Sequence, residues 1–353
     1  MNNLDNYIAS IQDIDSGYGE QTRAYQNTLT KPMGSLGKLE RLSIELASIT
    51  RAFPLAAGRK VIFTLAGDHG IVEEGVSTFP QEVTVQMVYN FLSGGAAINV
   101  LAKHAGAEVI VGNLGVKVSL DTDHPHYRDK KIGDGTNNIA KGPAMSREEA
   151  VRAIEAGIEL FEEEHQKDPI HVVGTGEMGI GNTTPATAIL SVISGIPAAQ
   201  VVGRGTGIDD DGLKRKAEAI ETAVRVNQPD KTDGMDILRK VGGFEIGGLV
   251  GVILAAAKHH VPVLVDGFIS TSAALIASVL NPKTKQYMIA AHQSQEPGHQ
   301  KMLELLGKEP LLDLDLRLGE GTGAALALQL VDASIKIVND MATFAEAGVS
   351  NKD

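Results

Sequence analysis

The strongest constraint on this chain is a recurring order of short apolar runs and helical stretches. Residues 61–65, 108–111, 171–173, 261–265 and 287–291 are apolar, and each run ends in glycine or a polar cluster. Their length and composition match strands buried on both faces. Between most of them lie stretches with helical spacing: 96–105, 147–164, 185–194, 212–226, 247–259 and 272–279. Strand, helix and strand in alternation predict βαβ units and a parallel sheet. In such sheets ligands bind beyond the carboxyl ends of the strands, so the loops after these runs are where chemistry is expected.

Composition narrows the class further. Aromatics make up 4% of the chain and tryptophan is absent, so the core must come from Ala, Val, Ile and Leu, which suits α/β layers. With 353 residues the chain has room for two domains, or for one large domain with an appendage. Residues 1–55 read as polar and helical around a turn-rich loop at 30–37. Residues 324–349 read as helical and Ala-rich, and are expected to pack with the N-terminal helices. The polar, Gly-rich stretch 121–144 reads as a long surface excursion.

A net charge of −12 argues against nucleic acid or an anionic membrane surface as partner. It leaves room for a small anion held by local dipoles and a few cations. The absence of cysteine excludes disulfides, thiolate catalysis and zinc–thiolate sites. Residues 1–6 lack the basic and apolar segments of a secretory leader. The longest apolar run, 247–257, falls short of the roughly 20 residues that cross a bilayer. A cytoplasmic protein without a membrane span is expected.

Four loops carry candidate chemistry. The first holds Asp68 and His69, read as a structural turn or as an acid–base or metal pair without a third ligand nearby. It leads into 83–92, where Val83, Met87 and Phe91 repeat at helical spacing. The second, 174–185, is the strongest signal. Its small residues expose backbone amides, Asn182, Thr183 and Thr184 add side-chain donors, and Pro185 stands where a helix would begin. Amides at a helix start form an anion site. Glu177 does not fit a bare phosphate cradle and is assigned to a ribose hydroxyl or the reacting centre.

Gly174, Gly176 and Gly179 also satisfy the dinucleotide spacing, but no acidic residue follows near 193–200 as that fingerprint requires. The third loop, 203–211, leads to Lys214, Arg215 and Lys216, one of which could reach a phosphate. The fourth joins 266–272 with 291–299 and offers Asp266, hydroxyls, His292 and His299. A metal is not favoured there either, since no pair at helical spacing occurs.

Glu320 lies in Leu318-Gly319-Glu320-Gly321-Thr322-Gly323. A carboxylate bracketed by glycines and apolar residues loses hydration, which raises its pKa toward the range of a useful general base. The alternative is a solvent-facing turn glutamate.

Lys31-Pro32-Met33-Gly34-Ser35-Leu36-Gly37, Ala66-Gly67-Asp68-His69-Gly70, the 174–185 loop and the Glu320 run occur in this order. Together they resemble the nicotinate-nucleotide–dimethylbenzimidazole phosphoribosyltransferase family, over about residues 10–348. The resemblance implies phosphoribosyl transfer from nicotinate mononucleotide to 5,6-dimethylbenzimidazole, giving nicotinate and α-ribazole 5′-phosphate for the lower ligand of cobalamin. It implies a Rossmann-like parallel sheet domain at 56–323, a small helical domain from 1–55 and 324–353, and a homodimer. No metal or cofactor is expected.

Matched residue by residue, Glu320 is the general base. Glu177, with Gly179, Ile180, Gly181, Asn182, Thr183 and Thr184, matches the loop that holds the ribose phosphate; Glu177 is also a second catalytic position, and Gly176 a further substrate-binding one. Lys216 contacts phosphate, and Asp266 and Ser294 lie near the nicotinate nucleotide. Phe79, Pro80, Gln86 and Met87 are placed around the base pocket, and Leu318 is a further substrate-binding position. Two rival readings remain: a nucleotide-dependent oxidoreductase using 174–179, and a sugar-phosphate or azole-binding module without activity.

Overall fold

The computed structural model describes residues 3–350. The first two residues, part of the stretch read for a leader, and the last three, at the end of the 324–353 segment, lie outside the described residues. Six strands form a parallel sheet: β1 (Arg59–Gly67), β2 (Glu108–Gly115), β3 (Tyr127–Asp129), β4 (Ile170–Met178), β5 (Val263–Val265) and β6 (Met288–Ala290). Their order is β3-β2-β1-β4-β5-β6. Every predicted run is a strand, and a sixth was missed. The 121–144 excursion is not wholly surface: Tyr127 pairs with Val111 to start β3. An edge strand of three residues carries too little periodicity to be read from sequence. Beyond β6, β7 (His292–Gln293) pairs with β8 (Leu312–Asp313) as a separate small ribbon.

The helices preceding β1 are α1 (Asn3–Ala9), α2 (Ser16–Gln26) and α3 (Lys38–Thr50). Next come α4 (Glu82–Leu92), α5 (Ala97–Ala105), α6 (Arg147–Lys167), α7 (Thr183–Ser194), α8 (Asp210–Asn227), α9 (Gly234–Val241) and α10 (Phe244–Lys258). The chain continues through α11 (Phe268–Leu280), α12 (His299–Leu306), α13 (Thr322–Asp340) and α14 (Phe344–Ala347). Helix α11 starts four residues before the predicted 272, so Ser270, Thr271 and Ser272 are buried helix residues and not loop donors.

The pleat of β1 sorts the layers. Leu65 points at α10: a Cβ on Gly248 would stand 2.7 Å from its Cδ1. Ile62 points the other way, 2.7 Å from where a Cβ on Gly321 would lie, at the start of α13. Helix α10 packs on β1, β2, β4 and β5 with α6 and α11 beside it. On the other side α13 packs on β4, β5 and α5, and carries α2 and α3 on its outer surface.

The contact of α6 with α10 is glycine-dependent. A Cβ on Gly157 would overlap the carbonyl of Gly248, and one on Gly251 would stand 2.8 Å from the Ile158 nitrogen. Gly157→Ala should therefore destabilise the protein. The helix-propensity gain of about 1 kcal/mol is smaller than an overpacking cost of about 1–3 kcal/mol or more against backbone. A urea midpoint at or above that of the parent would refute this packing argument.

Candidate functional site

In this strand order the chain reverses direction between β1 and β4, and a crevice opens beyond their carboxyl ends. A cavity of about 630 Å³ occupies that place, within the range of small-molecule sites. It is lined by residues following β1, β4, β5 and β6, by the 205–206 loop and by the Glu320 turn.

Glu320 sits on an unusual backbone. Its φ is +63°, between Gly319 at +89° and Gly321 at +98°. A non-glycine residue in the left-handed region is uncommon and is retained where its surroundings over-determine it. Thr64 Oγ1 donates to the Glu320 carbonyl at 2.9 Å. Asp266 accepts the Gly321 N–H at 3.3 Å and the Ala324 N–H at 2.9 Å. Gly176 lies under the turn, where a Cβ would overlap the Glu320 carbonyl. The side chain is 6% exposed, and Oε2 accepts the N–H of Ile98 at 3.2 Å, in the first turn of α5. Burial raises the Glu320 pKa, and the Ile98 hydrogen bond opposes that rise. The turn is thus not a solvated surface feature.

Glu177 is the penultimate residue of β4, beside this turn. It accepts a hydrogen bond from Asn182 Nδ2. Burial, then the nearby carboxylates of Glu245 and Asp266, push its pKa up to about 8. Near neutral pH Glu177 is mostly a protonated acid. Burial is the largest cause of the raised pKa at both Glu177 and Glu320.

One end of the cavity is built from α7 and the 203–207 loop, with Thr183, Gly205 and Thr206 in its lining and Lys216 behind them. Asn182 holds the N-cap position of α7 without a side-chain cap hydrogen bond, and Thr183 is the first helical residue. Lys216, fully buried on α8, donates to Thr183 Oγ1 at 2.8 Å and to the Gly203 carbonyl at 3.0 Å. Burial lowers its pKa to about 8, and the Glu296 carboxylate resists that fall. Gly205, at φ +50°, lies close to the same ammonium: a Cβ there would be 3.1 Å from Nζ.

The structure brings most sequence-predicted residues together. Glu177, Gly179, Ile180, Gly181, Asn182 and Thr183 line the cavity from one side. Glu320, Leu318, Ser294, Phe79 and Met87 line it from the others. Leu318 and Phe79, 56% and 51% exposed, stand at its mouth.

Several placements need correction. Pro80 and Gln86 are not among the lining residues, and Gln86 is exposed; Val76 and Val83 face the cavity from that segment instead. Asp266 lies beneath the surface, holding the Glu320 turn, and is not among the residues that line the cavity. Gly176 does the same from β4, and Thr184 is buried inside α7. Gly174 and Gly176 are strand residues, so the turn required by the dinucleotide fingerprint does not form. Pro185 is the third helical residue of α7 rather than its first.

Asp68 and His69 are buried among protein partners and are not among the residues that line the cavity. Asp68 Oδ2 accepts the Lys117 N–H at 2.8 Å, and His69 Nε2 is 2.8 Å from Glu245 Oε1. His299 joins Thr271 Oγ1 at 2.9 Å and accepts the Ser294 N–H. Among the described residues no group of three or more His, Asp or Glu is arranged to hold a metal ion. No helix among them is long and apolar enough to cross a membrane.

The cavity also uses residues without an individual sequence signal. Phe268 and Ile269 come from the start of α11, Arg317 from the approach to Glu320, and Thr206 from the third loop. Thr206 fastens that loop to the 77–79 segment: its Oγ1 meets Ser77 Oγ at 3.1 Å and its carbonyl accepts from Thr78 Oγ1 at 3.0 Å.

A family profile described as Phosphoribosyltransferase matches residues 11–349. The chain is 54% identical over 349 residues to the nicotinate-nucleotide–dimethylbenzimidazole phosphoribosyltransferase of Geobacter metallireducens, covering 99% of this chain and 98% of the relative. It is 51% identical over 353 residues to the protein of that name from Geobacter sulfurreducens, covering 100% of both. A crystal structure of the corresponding enzyme from Thermus thermophilus matches with a TM-score of 0.90 at 42% identity, over 96% of this chain and 100% of that one.

Proposed function

The chain belongs to the nicotinate-nucleotide–dimethylbenzimidazole phosphoribosyltransferase family, and from that premise we propose that it transfers phosphoribose from nicotinate mononucleotide to 5,6-dimethylbenzimidazole. The products are nicotinate and α-ribazole 5′-phosphate, for the lower ligand of cobalamin. The observation that carries this reading is Glu320: a partly desolvated carboxylate, held on a left-handed turn, facing the same cavity as the Thr183 and Gly205 anion site.

The chemistry needs little beyond that. One ring nitrogen of the benzimidazole attacks C1′ of the ribose. The bond from C1′ to the pyridinium nitrogen breaks, and its electron pair neutralises the nicotinate ring. The leaving group therefore requires no strong acid. The other benzimidazole nitrogen carries a proton, which Glu320 removes, so that the product is not left as a charged azolium. Attack opposite the leaving group inverts C1′, turning a β nucleotide into an α product. Thr183, Lys216 and the amides of the 179–183 and 203–205 loops hold the 5′-phosphate. Glu177, in its protonated form, donates a hydrogen bond to the ribose. Phe79, Met87, Val83 and Leu318 enclose the flat acceptor. Fixing both rings and the phosphate in register contributes more than the base alone.

The same proposal includes a homodimer in the cytoplasm, and the terminal helices and α13 acting as one helical unit. Incubation with both substrates should release nicotinate and give an α-configured product by chromatography and NMR. Absence of nicotinate while both substrates bind would refute the transfer. The oxidoreductase alternative has lost its fingerprint turn, and no specific observation favours it.

A further inference from the structure

One cavity carboxylate is not used by the proposed transfer. Glu296 lies beyond β7 and is 8% exposed. Its Oε1 accepts the Gly205 N–H at 3.1 Å. Its Oε2 is buried without a hydrogen-bond partner. That oxygen lies so close to Gly203 that a Cβ there would overlap it. The Gly203 carbonyl in turn accepts from Lys216. Glu296 and Lys216 therefore hold one glycine loop between them, at the end of the cavity where the nucleotide phosphate is placed.

A carboxylate is out of place in a bare anion site, because it repels the ligand that Lys216 attracts. A buried acceptor without a donor also costs free energy. The neighbouring hydroxyls face other partners. Thr183 Oγ1 meets Lys216, Thr206 Oγ1 meets Ser77 and Thr78, and Ser294 Oγ accepts the Glu296 N–H at 3.3 Å. The unpaired acceptor gains its donor, and the carboxylate a reason to be there, if the ligand itself brings a hydroxyl. We propose that Glu296 is a specificity-determining residue whose Oε2 accepts a hydrogen bond from a hydroxyl of the bound nucleotide, while Oε1 keeps the 203–205 loop in place. This rests on the nucleotide reading above. The hydroxyl is either a ribose 2′- or 3′-OH or the P–OH of a singly protonated phosphate.

The test is calorimetric binding of nicotinate mononucleotide and its 2′-deoxy and 3′-deoxy counterparts to the full chain and to Glu296→Gln. Gln keeps the volume and the Gly205 contact but places a donor where Oε2 accepted. If the ribose is the source, the parent protein binds one deoxy nucleotide about 10- to 150-fold more weakly than the full nucleotide, as for hydrogen bonds to charged groups. Glu296→Gln narrows that ratio to within about threefold. Taking ratios removes any change in the Lys216 charge common to all ligands.

If the phosphate is the source, the deoxy nucleotides bind like the full one. Parent affinity then rises as pH falls through the second phosphate pKa of about 6, and the variant shows no such rise. An unchanged discrimination pattern together with an unchanged pH profile in Glu296→Gln would overturn the inference and leave the function standing. A parent protein that binds no nicotinate mononucleotide would overturn both.

Discussion

Glu320→Gln is expected to lower turnover by about 10²–10⁴-fold, the usual contribution of a well-placed general base, while binding of both substrates stays near that of the parent. Gln has the same length and can still accept the Ile98 N–H that fixes the carboxylate in place. What it loses is basicity. The left-handed φ of +63° is unaffected, because it is set by backbone partners: Thr64 on the Glu320 carbonyl and Asp266 on the following amides. Folding should therefore survive. A pH series adds an independent readout. Glu320 works as a base only when ionised, and burial raises its pKa above the ordinary carboxylate value. Parent turnover should thus fall as pH drops through that raised value, and the variant should show no such acid limb. Near-normal turnover in Glu320→Gln would mean that another group, or water, takes the proton.

Lys216→Met is expected to act in opposite directions on function and on stability. The ammonium is the buried cation nearest the glycine loops, so its loss should raise KM for the nucleotide by about 10- to 150-fold, the range for hydrogen bonds to charged groups, with a smaller effect on kcat. The pH dependence follows from the same group. Its pKa is lowered by burial to about 8, so it is charged below that pH and neutral above. Nucleotide affinity in the parent should weaken as pH rises through about 8, and this alkaline limb should be absent from Lys216→Met.

For stability the sign is reversed. An amine whose folded pKa lies below its unfolded value costs stability at every pH where it is charged. That cost is fully present below about pH 8 and is relieved as pH rises toward the unfolded value. A shift of this size corresponds to about 3 kcal/mol. Removing the charge should return part of it, less what Glu296 loses when its counter-ion goes. Thermal denaturation at neutral pH should show Lys216→Met no less stable than the parent. A large loss of stability would mean that Lys216 is chiefly a structural tie between Thr183 and Gly203.

Legibility from sequence was uneven for physical reasons. The strands of the central sheet are buried on both faces, so they appear as continuous apolar runs, and five of the six could be located. Tyr127 to Asp129 could not, because an edge strand of three residues with an arginine and an aspartate has no pattern to detect. The 174–185 segment was recognisable as a ligand loop from its small residues, yet its first five positions are strand. There glycine serves a different end: it leaves room for the Glu320 turn to lie on β4. Asp266 shows the same limit. Its place after a strand marked it as functional, but only the fold shows it turned inward on the amides of Gly321 and Ala324.

The sequence by itself determined the fold class, through the alternation of apolar runs and helical stretches. It also marked the two glutamates as candidates and left Lys214, Arg215 and Lys216 open as the cation beside the third loop, because a glycine-bracketed carboxylate and a glycine loop beside basic residues are local patterns; Lys216 was singled out only by the family resemblance. Only the tertiary structure decided their chemical states. The raised pKa of Glu177, the lowered pKa of Lys216 and the unpaired oxygen of Glu296 all arise from burial among side chains distant in sequence. Desolvation and charge proximity are properties of the packed molecule, and no local pattern carries them.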